Sequence, residues 1–261
     1  MRKTFIFILL TGITLLFSNS VFAQNIVISP SLEKNAEPMK VKIGTAGFGK
    51  IPKWKFGEFA VVQSKAGWTK TTSKSNLFNT KTESKTTQKF SFTMCNASGD
   101  SALVNAAKNI EWKSIQGLEV FPGFFIGDND VKLDAFNFTA TITINRDTSA
   151  TWILLMQSEM GSETQNTGNA MLTNGTRKML IFGASSNVDG SDKRTFPAAG
   201  YEFREGDDAL MALQYFGGGA LGYNKNIVWI SDTPDPKMKL ILAAVATGVM
   251  QLKFSELGDE E

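Results

Sequence analysis

The chain has 261 residues, no histidine and one cysteine, Cys95. This excludes Ser-His-Asp and Cys-His nucleophiles, His-ligated or thiolate zinc sites and any internal disulfide, while the length suffices to bury a sizeable core. Lys and Arg number 27 against 25 Asp and Glu, so the distribution of charge says more than its sum.

Arg2 and Lys3 precede an apolar run from Phe5 to Phe17, and Val21-Phe22-Ala23 offers small residues at a signal-peptidase spacing. The expectation is an export signal over 1–23 cut before Gln24. The run is shorter than the roughly 20 residues of a membrane span. Gln24 in place of Cys argues against a lipid anchor. The exported chain would be periplasmic or extracellular, with no transmembrane segment after cleavage. Without residues 1–23 the charges balance, yet 24–90 holds 12 basic and 4 acidic side chains and 91–261 holds 13 and 21. Such asymmetry points to an anionic partner for the first part, or to internal pairing.

Residues 24–40, with Pro30 and Pro38, read as a loosely ordered lead-in. A first strand is expected over Met39–Thr45, then a Gly-rich break, then a strand over Phe56–Val62. The Lys/Thr/Ser stretch from Ser64 to Lys89 reads as a solvated hairpin or mobile loop. Phe90, Phe92 and Met94 alternate with polar neighbours, the period of a half-buried strand. The same stretch makes Cys95 a small buried hydrophobe. Asp100 reads as the cap of a short helix over Ser101–Asn109, on the strength of Leu103, Val104 and Ala107. Phe136–Asn145 alternates strictly, and with Thr151–Gln157 it predicts a hairpin turning at Asn145–Ser149. Lys178–Phe182, Ala209–Phe216 and Ile227–Ile230 are further strands. Asp235 and Pro236 open a helix over 236–252 that is apolar on most sides and therefore buried. Its Leu240–Met250 run is too short to span a membrane. No repeat of fixed period divides the chain, and a single domain is expected.

The predicted fold is mainly β, with antiparallel sheets packed sandwich-like and a buried C-terminal helix against a sheet; the alternative is α+β.

Candidate chemistry is sparse. Eleven lysines and no arginine lie between Lys40 and Lys89, with Phe48, Trp54, Trp68 and Phe78 among them. Lys65, Lys70, Lys74, Lys81 and Lys85, with Trp54 and Trp68, form a candidate anionic-ligand surface. An anionic envelope lipid or polysaccharide, or another envelope protein, fits it better than nucleic acid, which an exported chain rarely meets. The bland reading is a lysine-decorated hairpin whose charges guard a sheet edge. Trp54, Trp68 and Trp112 have polar neighbours and are expected at the surface; Trp152 and Trp229 sit in apolar strands and are expected in the core.

Asn187, Asp189 and Asp192 supply oxygens at loop spacing for calcium, as do Asp128 and Asp130, though neither stretch matches an EF-hand. Carboxylate pairs among Asp128, Asp130, Asp134, Glu202, Glu205, Asp207 and Asp208 could hydrolyse a glycoside. Ser31 and Lys34 spell S-x-x-K without the companion motifs of a Ser-Lys hydrolase. The favoured function is a non-catalytic envelope or secreted protein that binds through its sheet surface. The alternative is a hydrolase using paired carboxylates or a Ser-Lys pair.

Overall fold

The computed structural model describes residues 25–75, 81–115, 118–121, 124–126, 130–158, 170–187, 197–218 and 225–258. The export signal expected over 1–23 lies outside the described residues. The elements in chain order are α1 (Pro30–Asn35), β1 (Met39–Lys40), β2 (Lys42–Ile43), β3 (Trp54–Phe56), β4 (Phe59–Ala66), β5 (Lys70–Ser75), β6 (Lys81–Cys95), β7 (Ser101–Ile115), β8 (Leu118–Phe121), β9 (Phe124–Ile126), β10 (Asp130–Ile144), β11 (Asp147–Ser158), β12 (Ala170–Thr173), β13 (Lys178–Ser185), β14 (Ala198–Glu205), β15 (Asp208–Gly217), β16 (Ile227–Ile230) and α2 (Pro236–Gly258).

The fold is mostly antiparallel β with a buried C-terminal helix, as expected. The strands form one 14-stranded sheet, in the order β1-β16-β15-β14-β13-β12-β11-β10-β7-β6-β4-β3-β2 with β5 on the flank of β6, where two stacked sheets were expected. β8 and β9 form a separate two-stranded ribbon. One short segment brings the ends of the large sheet together. Met39 and Lys40 pair with Val228 and Ile227, while Lys42 and Ile43 pair with Lys55 and Trp54. Between them the Val41 N–H donates to the Asn226 carbonyl at 3.0 Å. The sheet therefore rolls into a near-barrel with few free edges.

Alternation sets what faces inward. Phe90, Phe92 and Met94 on β6, Ala102, Val104 and Ala106 on β7, and Phe138, Ala140 and Ile142 on β10 are all buried in one core. The neighbouring Thr139, Thr141 and Thr143 stay partly exposed outside. The turn between β10 and β11 is two residues long, with Asn145 and Arg146 both at positive φ, the conformation a tight hairpin needs.

α2 fills the interior. Every residue from Leu240 to Leu252 is buried, and strands on both sides of the roll, β6, β7 and β10 opposite β15 and β16, pack against it. A helix apolar all round has no wet face, so enclosure by strands is the arrangement its sequence demands. Asp235 caps it, its Oδ1 accepting from the Lys237 and Met238 N–H groups at 2.9 and 3.0 Å. The helix runs six residues past the expected end, and the span Pro236–Glu256 is apolar and long enough to cross a membrane by length and composition. Most of it is buried within the protein. Its polar groups are answered locally: Thr247 Oγ1 donates to the Ala243 carbonyl, and Gln251 Oε1 accepts from Trp54 Nε1 at 3.1 Å.

Three local expectations are corrected. Ser101–Asn109 belongs to strand β7, not to a helix. Its small residues satisfy a helical spacing, but pairing with β6 and β10 along the whole strand imposes period two. Asp100 caps no helix; its Oδ1 accepts from Asn145 Nδ2 at 2.8 Å. The lead-in is not loose. Ile26, Leu32 and Ala36 pack with Ala198, Ala209, Ala212, Ile227 and Trp229 in a second cluster, separate from the main core. Finally, Cys95 is half-buried rather than a core residue, because alternation after Met94 turns it to the outer face.

Candidate functional site

Over its described residues the lysine-rich stretch forms an antiparallel strand pair, the hairpin of the two expected forms. β5 lies along the outer half of β6, with Lys70 opposite Thr87, Thr72 opposite Lys85 and Lys74 opposite Glu83. Residues opposite one another in an antiparallel pair share a face, and diagonal neighbours stand about 7–8 Å apart. Lys70, Lys74 and Lys85 therefore share one face, with Lys85 diagonal to the other two. Lys65 on β4 pairs with Ser91, two residues along from Lys89, which continues that face. Lys65, Lys70, Lys74, Lys85 and Lys89 are all exposed. The opposite face carries a ladder of hydroxyls, Thr71 to Thr86 at 3.0 Å and Ser73 to Ser84 at 3.2 Å. Lys81 is placed by its backbone, opposite Ile115; its side chain lies outside the described residues.

Lysines beyond the five expected at the site extend this surface. Lys40, Lys42, Lys53 and Lys55 are exposed while Met39, Val41, Ile43 and Trp54 point inward. Lys42 and Lys55 sit directly opposite one another across β2 and β3, a like-charge pairing that weakens a sheet. From Lys40 to Lys74 there are eight lysines and one acidic residue, Glu58. Among the described residues none of these eight lysines forms an ion pair. The alternation Lys40-Val41-Lys42 and Lys53-Trp54-Lys55 was the sequence signal for them.

Of the two tryptophans assigned to the surface site, the structure keeps one. Trp68 is 87% exposed, whereas Trp54 is 1% exposed. Trp54 has lysines on both sides, but strand alternation turns it into the core. There it meets Phe254 edge-on at 6.0 Å. Trp152 and Trp229 are buried, as expected; the Trp112 side chain lies outside the described residues.

Phe48, at 93% exposure, joins Trp68 instead. Their ring centroids lie 6.4 Å apart with planes at 72°. The two turns that carry them are tied together. Ala66 N–H donates to the Gly49 carbonyl at 2.8 Å, and Gly67 N–H donates to the Lys89 carbonyl at 2.7 Å. A Cβ at Gly67 would come within 2.9 Å of that Lys89 oxygen, so this close approach requires glycine.

The remaining candidates are held in structural roles, stand exposed where β14 turns into β15, as Asp207 and Asp208 do, or fall outside the described residues. The buried Glu202 carboxylate accepts from the Ser29 N–H and from Arg204 Nε, tying the lead-in to β14. Glu205 receives Arg177 through both oxygens, at 2.8 and 2.6 Å. That guanidinium holds the Glu205 carboxyl below its ordinary pKa. Arg177 also stacks over Trp152 at 5.7 Å beside an open cleft of about 360 Å³. Ser31 and Lys34 stand on α1, where Ser31 Oγ meets Ser29 Oγ at 3.3 Å. Asn187 is described, its N–H donating to Ser185 Oγ. Its two proposed calcium partners, Asp189 and Asp192, lie outside the described residues, as do Asp128 and the Asp130 and Asp134 side chains.

A second charged cluster closes the far end of α2. Lys253 donates to Glu256 at 2.9 Å and stands 5.5 Å over the Tyr215 ring. The buried Lys108 lies 3.6 Å from the same carboxylate. Burial raises the Tyr215 phenol above its ordinary pKa. Burial pulls the Lys253 ammonium down, but Tyr201, Glu256 and Tyr215 around it outweigh that and raise it. Both shifts act in one direction. Unfolding lets Tyr215 ionise from about pH 10 and frees Lys253 to lose its proton at about pH 10.4. The unfolded chain then binds fewer protons than the native one, so stability falls as pH rises through that region. The melting temperature is expected to be level from pH 7 to 9 and to drop above pH 10, and Tyr215→Phe should flatten the drop. A drop of the same size in Tyr215→Phe would remove Tyr215 as its cause.

No protein-family model matches the chain, and neither does any curated protein or solved structure.

Proposed function

We propose that this is an exported envelope or secreted protein that acts by binding an anionic partner through the lysine-bearing outer face of β2 to β6. One observation carries the reading: eight exposed lysines against a single glutamate over residues 40–74, with Lys42 and Lys55 opposed across two strands. Like charge gathered on one face raises the free energy of the fold unless an anion neutralises it. Lysine without arginine suits an extended anionic surface, because ammonium groups act as point charges and arginine is the residue of bidentate recognition. The rolled sheet, filled by its own helix, is a rigid support for such a face.

The test uses residues 24–261 with Lys65, Lys70, Lys74, Lys81 and Lys85 all changed to Gln. Each lysine near an anionic surface contributes about 1 kcal/mol, so binding to dextran sulfate and to phosphatidylglycerol vesicles is expected to weaken at least tenfold. Unchanged binding to both would overturn the proposal. The melting temperature is read alongside, so that loss of binding is separated from loss of the fold.

A further inference from the structure

We infer that the partner of this face is an anionic lipid bilayer, and that Phe48 and Trp68 enter its interface. The inference rests on the lysine-surface reading and adds the nature of the partner.

Two large aromatic rings stand at 93% and 87% exposure on adjacent turns. Among the described residues their one ring contact is with each other. Lysines surround them in the chain: Lys50 two residues after Phe48, Lys65 and Lys70 flanking Trp68, and Lys89 hydrogen-bonded through its carbonyl to Gly67. Exposed aromatics amid lysines match a bilayer surface layer for layer. Headgroup phosphates meet the ammonium groups, and the headgroup–acyl boundary admits Trp and Phe. Lysine stems are long enough to keep their charges at the headgroups while the rings go deeper.

Ring geometry separates this from a sugar or a single-stranded nucleic acid. Both of those stack on aromatic faces lying open and flat. Here the planes meet at 72°, so the rings present no common platform. They form a projecting knob suited to insertion between lipids.

The knob is also preorganised. Lys50 N–H closes a turn on the Gly47 carbonyl at 3.0 Å, and Gly49 takes φ +65° to complete it. With the turns fixed by the bonds from Ala66 and Gly67, little order remains to be gained on docking.

The experiment compares wild type, Phe48→Ala/Trp68→Ala and Trp68→Phe, all as residues 24–261, on three probes: mixed phosphatidylglycerol/phosphatidylcholine vesicles, pure phosphatidylcholine vesicles and dextran sulfate. Wild type is expected to bind the anionic vesicles and leave the zwitterionic ones. The double alanine variant should bind anionic vesicles roughly a hundredfold more weakly, about tenfold per ring, while holding dextran sulfate as wild type does. Acyl-chain-brominated lipid should quench wild-type fluorescence, and Trp68→Phe should lose that quenching while keeping its affinity. If the double variant binds vesicles as wild type does, or if wild type binds dextran sulfate but not vesicles, the bilayer inference is overturned and the lysine face stands. If the lysine variant described above also binds unchanged, both fall. Both rings are exposed, so all variants should melt with wild type, and loss of vesicle binding with an unchanged melt reads docking alone.

Discussion

Leu242→Ala is expected to lower the unfolding free energy by about 3–5 kcal/mol, read as a shift of the urea midpoint at constant slope. Leu242 is fully buried on a helix that strands enclose from both sides. A core element at the edge of a structure can settle toward a gap. Here the rolled sheet is hydrogen-bonded nearly all the way round, and inward collapse would break its pairing. Most of the cavity left by the leucine should therefore persist, which places the loss at the upper end of the usual range. Lys237→Ala, in the exposed first turn of the same helix, should cost under about 0.5 kcal/mol. A loss below about 1 kcal/mol for Leu242→Ala would mean that the sheet does not grip the helix as described.

Gly200→Ala is expected to cost about 3 kcal/mol, through overpacking alone. A Cβ at this position would lie 2.1 Å from the Leu213 carbonyl oxygen and 2.8 Å from Ile26 Cδ1. The nearer atom is backbone of the paired strand β15, which cannot rotate away. The strand is irregular here, its register shifting between Ala199 and Gly200. Ile26 is pinned in turn, its N–H donating to Gln214 Oε1 at 2.9 Å. Substitution should thus loosen the lead-in as well as β14. It is expected to lower the melting temperature and to open residues 25–36 to limited proteolysis. Gly99→Ala is the contrast. Gly99 has φ +86° and nothing within 4 Å, so only the conformational cost of about 1–2 kcal/mol applies and the lead-in should stay protected. Equal proteolysis of the two variants would contradict the close-approach account.

Much of this architecture was legible as periodicity. The β10–β11 hairpin, with Phe138, Ala140 and Ile142 inward and threonines outward, follows from a side-chain repeat of two. The buried helix follows from Asp235, Pro236 and an apolar surface without a polar stripe. Partner choice between strands was not legible. That Met39–Ile43 touches both ends of one sheet depends on pairings about 190 residues apart in sequence, between Met39 and Val228. No local pattern announces this. Local pattern also misled where residues are small. Ala102, Val104 and Ala106 fit a strand, Leu103, Val104 and Ala107 fit a helix, and only pairing with two neighbours decides.

The candidate site shows the same division. Composition flagged the lysines, and alternation could have sorted Trp54 inward from the spacing Trp54, Phe56. The meeting of Phe48 with Trp68, 20 residues away, is a tertiary fact. So is the opposition of Lys42 and Lys55.

The most direct test of the lysine face is the salt dependence of sedimentation with phosphatidylglycerol-containing vesicles, for wild type and for the five-lysine Gln variant. Exposed charges are screened within about 10 Å at 0.1 M salt. Wild-type affinity is therefore expected to fall steeply as salt rises, and the variant should bind more weakly with a shallower slope. Wild-type binding that ignores salt, or a variant with the same affinity and slope, would contradict the account.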